Sequence, residues 1–312
     1  MPALPTVRGP ARWSGEERSS FLWAMLFLSP WIIGFLVFTA APMAWSLWLS
    51  FTNYDPLTDK ADVVGLANYQ FMLSDRRVWL SLGNTLYFTV LFVPLSIALS
   101  LLLATLLNRV GGRAAGFFRT AFYLPNITPA VAIGTLFLLI LANPDGLLNQ
   151  FLRAFGINGP SWLNDPAWVK NGVVLMMLWS IGGTVVILFA ALRNVPVELH
   201  EAAHIDGANA WQRFRAITVP MISGALFFVL IINTIAALQL FTEVYTIFFG
   251  QRTGAAGLDA VLFYYIYLFR QAFEFFKMGY ASALAWLLFV VVGIITLVQS
   301  RLSRRFVYYE GG

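Results

Sequence analysis

Apolar residues run almost without interruption in six stretches, at about 21–41, 83–107, 122–141, 172–192, 222–248 and 279–298. Each is about 20 residues long, the length a helix needs to cross a hydrocarbon core about 30 Å thick. The pattern predicts an all-α membrane protein of six transmembrane helices in one domain over 21–308, with polar tails at 1–20 and 309–312. The first stretch is longer than a signal-peptide core and lacks a clear small-residue cleavage site, so it reads as a retained helix. Prolines punctuate the pattern: Pro94 predicts a kink in the second helix, and Pro125 and Pro129 a break around Asn126 and Thr128 in the third. Two shorter apolar runs cannot span. Residues 147–155 read as a surface helix, and YYIYLF at 264–269 as a piece lying in the outer interface or folding back.

The longest structured polar interruption is ELHEAAHIDGANAWQRFRAITVP at 198–220, within a loop over 193–221. His200 to His204 makes about one helical turn, Asp206-Gly207 is a turn signal, and Trp211, Phe214 and Ile217 recur at helical spacing before Pro220. A helix, a turn and a second helix at the membrane surface are predicted.

Composition supports the bilayer assignment, since 59% of residues are hydrophobic and 11% charged, against about 25% charged in soluble domains. With no cysteine, disulfides, thiolate metal sites and thiol nucleophiles are excluded. The net charge of +5 does not call for nucleic acid, because Lys and Arg concentrate in cytoplasmic loops. Placing both termini inside puts 12 of the 20 Lys and Arg on the inner side against six acids, and leaves eight against nine acids outside. That asymmetry orients the chain and puts 198–220 in the cytoplasm. None of the three lysines, Lys60, Lys170 and Lys277, follows a glycine as a P-loop requires, so any ATP is bound by a partner.

Two chemistries compete for the polar segment. His200 to His204 spells HExxH, which places two zinc ligands on one helical face with a glutamate as general base. A catalytic zinc takes three protein ligands, and Asp206 is too close to share that face while Glu243 is predicted a membrane thickness away. A membrane zinc metalloprotease is therefore the alternative reading.

The longer pattern runs Glu201-Ala202-Ala203, Asp206-Gly207-Ala208, Phe214, Ile217 and Pro220. It resembles the E-A-A signature loop of carbohydrate-type permeases of binding-protein-dependent ABC importers. GLANY at 65–69, Arg119 with YLP before the third helix, and GYASA at 279–283 extend the likeness over about 20–308. GQRTGAAG at 250–257 departs from the family's T-G-G-P.

The resemblance implies a type I importer permease fold in the inner membrane, with both termini cytoplasmic. The segment would be a coupling helix seated in an ATPase groove, with Glu201 at the contact, Gly207 allowing the turn, and Ala202, Ala203 and Ala208 permitting close approach. Implied partners are a second permease, two ABC ATPases that bind the ATP and magnesium, an extracytoplasmic sugar-binding protein and a sugar. The chain itself would hold no cofactor or metal and catalyse no reaction.

Along the fifth helix, Gln239, Thr242, Glu243 and Thr246 fall at i, i+3, i+4 and i+7, one polar stripe on an apolar helix. A carboxylate there costs about 2.5–3.5 kcal/mol if it faces lipid. The stripe either bonds neighbouring helices or, with Trp179, Phe241 and Tyr245 as apolar faces, contacts sugar hydroxyls. Asn126, Ser180, Gly182, Gly183 and Tyr280 are further substrate-path candidates.

Overall fold

The computed structural model describes residues 15–110, 112–249, 259–304 and 307. The chain ends at 1–14 and 308–312, and the GQRTGAAG stretch, lie outside the described residues. Four helices are long and apolar enough to cross a membrane: Ser19–Leu49 (span 1), Arg76–Arg109 (span 2), Ser223–Phe248 (span 5) and Met278–Ser303 (span 6). Two bent pairs supply the others, Ala114–Ile127 with Ala130–Ile140 (span 3) and Val169–Leu178 with Gly182–Arg193 (span 4). Counting each pair as one span gives six.

Spans 2 to 6 form the packed body, with Phe88, Phe137, Val185, Leu188, Val229 and Leu284 buried. Span 1 has no buried residue in its most apolar window, and Phe27 and Phe38 are about four-fifths exposed. Leaving such a ring in water would forfeit about 1.5–3 kcal/mol of burial, so this surface belongs against lipid or another protein.

Helix ends follow capping chemistry more than hydropathy. Span 2 starts at Arg76 because Asp75 caps it, accepting from the Arg77 amide, and it continues through Pro94. Span 1 likewise runs on through Trp45 and Trp48 to Leu49. Two sequence motifs meet at its C-terminal end. In GLANY, the Asn68 amide donates to the Ser50 and Thr52 carbonyls, and Gly65 takes a positive φ of 59°. In GYASA, a β-carbon on Gly279 would lie 2.0 Å from the same Thr52 carbonyl oxygen, so only glycine fits beneath that loop.

The YYIYLF piece folds back into the protein. Tyr264, Ile266 and Tyr267 are buried, the Thr85 hydroxyl accepts from the Tyr264 amide, and the Tyr264 hydroxyl donates to Leu284 O in span 6. Asn84 of span 2 fastens the preceding turn by donating to the Asp259 and Leu262 carbonyls. Asp75 closes this end, with its Oδ2 accepting from the hydroxyls of both Tyr267 and Tyr280. Leu147–Ala154 is the predicted short helix.

Three spans are interrupted midway. In span 3 the chain bends by 98° at Leu124–Ile127 and Pro129. Neither Pro125 nor Pro129 can donate a helical hydrogen bond, and Thr128, preceding a proline, is extended at ψ 131°. Span 4 bends by 49° at 179–181, where a β-carbon on Gly182 would come 2.0 Å from the Phe122 carbonyl oxygen of span 3. The apolar run predicts one continuous helix for span 5, but its regular hydrogen bonding stops at 239–241, with Gln239 at ψ 16° and Phe241 at φ −141°.

Candidate functional site

A cavity of about 300 Å³ lies among these interruptions. Asn126 enters from the break of span 3, Ser180 and Gly183 from that of span 4, Asn233 and Leu240 from span 5, and Phe88 and Phe92 from span 2. Where a helix is broken, its backbone groups and short polar side chains become available to a ligand, and irregular backbone at membrane depth is tolerated where it lines a cavity. The cavity's polar groups are uncharged. The Asn233 amide donates to the Thr184 and Ser96 hydroxyls at 3.3 and 3.4 Å, near the limit for a hydrogen bond, and the buried Ser180 hydroxyl has no partner. Buried hydroxyls and amides that are weakly engaged or unpaired favour a ligand that supplies hydrogen-bonding groups.

Some of the predicted path residues converge here and others do not. Asn126, Ser180 and Gly183 line the cavity, and Gly182 sets the close approach beside it. Trp179 instead packs edge-on against Phe137. Phe241 and Tyr245 stack on each other at 5.0 Å and gather around Phe269. Tyr280 is committed to Asp75. The polar stripe does not survive as one face, because the interruption at 239–241 separates exposed Gln239 from the helix Thr242–Phe248. Thr246 donates to Thr242 O within that helix, and Gly134 of span 3 approaches the Glu243 carbonyl oxygen, its ideal β-carbon 3.1 Å away. The first contact lies within one helix and the second packs span 3 against the backbone of span 5, so neither engages the Glu243 side chain. Asn233 and Thr184 lie outside the sequence-predicted set; the polar Asn233-Thr234 pair inside the apolar IINTIAAL run is the kind of signal that marks intramembrane function, whereas nothing local singles out Thr184.

The second feature is the polar segment after span 4. It forms Val197–Ile205, a turn, Ala210–Arg213, the wider-wound Phe214–Thr218 and Val219–Met221. Gly207 adopts φ 82°, and its amide donates to His204 O while the Ala208 amide donates to Ala203 O. This pair of bonds is the Schellman closure of a helix end, which needs a left-handed residue at that position. Two residues later Asn209 and Gln212 form a reciprocal capping box that starts the next helix. The sequence thus stops one helix and restarts another within a few residues, giving a rigid elbow.

That elbow has little to pack on within the chain. Val197–Ile205 buries no residue, Ile205 is 86% exposed, and Glu201, Ala202, Asp206 and Gly207 are all exposed. Ala203, Ala208, Phe214, Ile217 and Pro220 are half-buried, Ile217 resting on the core. His200 and His204 do not act together, since His200 lines a separate cavity against the ends of spans 2 and 4 while His204 is exposed. Among the described residues no three His, Asp or Glu side chains gather where they could hold a metal ion.

A multi-span helical protein with a cavity at broken helices and a rigid elbow projecting from one end belongs to the class of solute-translocating membrane proteins. Residues 96–308 match the family described as the binding-protein-dependent transport system inner membrane component, and the chain belongs to that family. It is 40% identical over 300 residues to the probable ABC transporter permease protein YesP of Bacillus subtilis (strain 168), covering 95% of each chain. It is 32% identical over 305 residues to the arabinooligosaccharides transport system permease protein AraP of the same organism, covering 97% of this chain and 95% of the relative. With the lactose transport system permease protein LacF of Rhizobium radiobacter it shares 34% identity over 283 residues, covering 89% and 93%. The fold matches a chain of a bacterial ABC transporter that imports the acidic polysaccharide alginate, with a TM-score of 0.79 at 24% identity, covering 94% of this chain and 98% of that one. The type I importer permease fold follows. Nothing in the geometry or the comparisons favours the zinc protease.

Proposed function

We propose that this chain forms half of the translocation path of an ATP-driven saccharide importer and carries the contact through which an ATPase drives it. The observation that carries the reading is the cavity at the three helix interruptions, lined by uncharged hydrogen-bonding groups and aromatic rings. Saccharides present hydroxyls and apolar ring faces, which this lining complements. AraP and LacF, permeases of an arabinooligosaccharide and a lactose transport system, point to the same solute class. Asn126, Ser180, Thr184 and Asn233 would bond hydroxyls, and Phe92, backed by the buried Phe88, would face a sugar ring.

The exposed elbow is the proposed ATPase contact. Glu201, Ala202, Ala203, Asp206, Gly207 and Ala208 would seat in the ATPase groove, with Phe214, Ile217 and Pro220 carrying its displacement into span 5. Swinging the path between two states at 1:99 and 99:1 takes a bias of about 5.5 kcal/mol, which demands a firm mechanical contact. A second, different permease would complete the path, two ABC ATPases would bind the ATP and magnesium, and an extracytoplasmic binding protein would deliver the sugar. Basic residues of the segment and of the ends of spans 2 and 4 would face the cytoplasm.

The test is uptake of labelled neutral and acidic oligosaccharides by cells with the chain deleted, restored by wild type or by Asn233→Leu. Loss of uptake of one saccharide class, restored by wild type alone, is expected. Unchanged uptake of every saccharide, alongside lost uptake of a peptide or an amino acid, would overturn the saccharide assignment.

A further inference from the structure

A second cavity, of about 200 Å³, lies where the polar segment meets the ends of spans 2 and 4. Arg213, Arg109, His200 and Asn108 line its polar side, and Leu192 and Phe214 its apolar side. No Asp or Glu is among its lining residues. The Arg213 Nε is buried and has no hydrogen-bond partner, and Arg213 has no ion pair among the described residues. A guanidinium is always charged and presents a planar fork suited to carboxylate or phosphate, so a buried N–H left open beside a second arginine calls for an anion.

The surroundings identify the anion's carrier. Leu102, Thr105, Leu106 and Arg109 recur at helical spacing on one face of span 2, and Leu102 and Leu106 are exposed. An apolar stripe therefore leads along the span directly to the basic cavity, and exposed Trp211 stands on the neighbouring helix as an interfacial aromatic would. Acyl chains lying on the stripe and a phosphate in the cavity would be the two ends of one molecule. Basic pockets between helix ends on the cytoplasmic side are the places where anionic headgroups bind.

We propose that this cavity binds the phosphate of an anionic phospholipid, which bridges Arg109 of span 2 to Arg213 of the elbow. The lipid would then stiffen the joint between the elbow and the membrane helices, making coupling sensitive to inner-leaflet composition. This rests on the reading that the elbow faces the cytoplasm.

The test uses the full transporter complex, purified in detergent and stripped of lipid, with native mass spectrometry counting bound phosphatidylglycerol or phosphatidylcholine. Wild type should bind phosphatidylglycerol in preference to phosphatidylcholine, and Arg213→Gln should weaken that binding at least about tenfold, the loss of a charge-assisted bond. Arg213→Lys, which keeps the charge but lacks the fork, should bind more weakly than wild type but more tightly than Arg213→Gln, and controls for folding. Equal phosphatidylglycerol binding by wild type and Arg213→Gln overturns the proposal. Protection from thermal unfolding by inorganic phosphate equal to that by phosphatidylglycerol would assign the site to a free anion and overturn the lipid. Loss of an ATPase subunit from Arg213→Gln with lipid binding unchanged would make the arginine a subunit contact instead. The orientation is tested separately: in this cysteine-free chain, His204→Cys labelled by an impermeant maleimide in intact cells would refute the cytoplasmic reading whatever the lipid result.

Discussion

Replacing Gly207 isolates backbone conformation from every other property of the elbow. A β-carbon there would meet nothing within 4 Å, so no substitution is penalised for lack of space. What resists substitution is φ, held at 82° by the closure of Val197–Ile205. An L-residue in that region costs about 1–2 kcal/mol, Asn less because its side chain bonds locally, and a β-branched residue more. If the turn relaxes instead, the bonds from the Gly207 and Ala208 amides are lost, each worth about 0.5–1.5 kcal/mol. Either route loosens the elbow by about 1–3 kcal/mol, which corresponds to roughly a 5- to 150-fold loss in a coupled equilibrium. In proteoliposomes holding the whole complex, solute uptake per ATP hydrolysed should fall in the order Gly207, Gly207→Asn, Gly207→Ala, Gly207→Val. Insertion and basal hydrolysis should persist. Wild-type uptake from a Gly207→Val, Glu201→Ala double variant, or Asn and Ala behaving alike, would refute the argument.

Gly182→Ala should destabilise the protein by about 1–3 kcal/mol because its β-carbon would sit 2.0 Å from Phe122 O, whereas Gly183→Ala, facing a movable Asn126 amide at 3.3 Å, should cost little; thermal unfolding in detergent separates them. Asp75→Ala removes a helix cap and the acceptor shared by Tyr267 and Tyr280, so it should cost more than Tyr267→Phe or Tyr280→Phe alone in the same assay. Asn233→Leu should cut uptake while leaving the complex assembled, and Glu243→Gln should transport normally; the reverse result would return the substrate path to the stripe on span 5.

Hydropathy and local chemistry made much of this protein legible from sequence alone. A bilayer needs about 20 apolar residues per crossing, so six spans could be counted from one dimension. Pro125 and Pro129 announced the break in span 3, because a missing amide acts on its own helix. Asp206-Gly207 announced the elbow for the same reason: Schellman closure is set by neighbours within five residues. Polar positions failed where they depended on contacts between spans. The spacing of Gln239, Thr242, Glu243 and Thr246 assumed one unbroken helix, and the interruption at 239–241 removed the shared face. Tyr280 and Trp179 looked available, yet their partners Asp75 and Phe137 lie far along the chain. Only tertiary structure brought Asn126, Ser180, Thr184 and Asn233 around one cavity, and seated Gly182 and Gly279 against the carbonyls of Phe122 and Thr52. Periodicity describes a helix's own faces; which face meets another helix depends on packing among segments that share no local sequence.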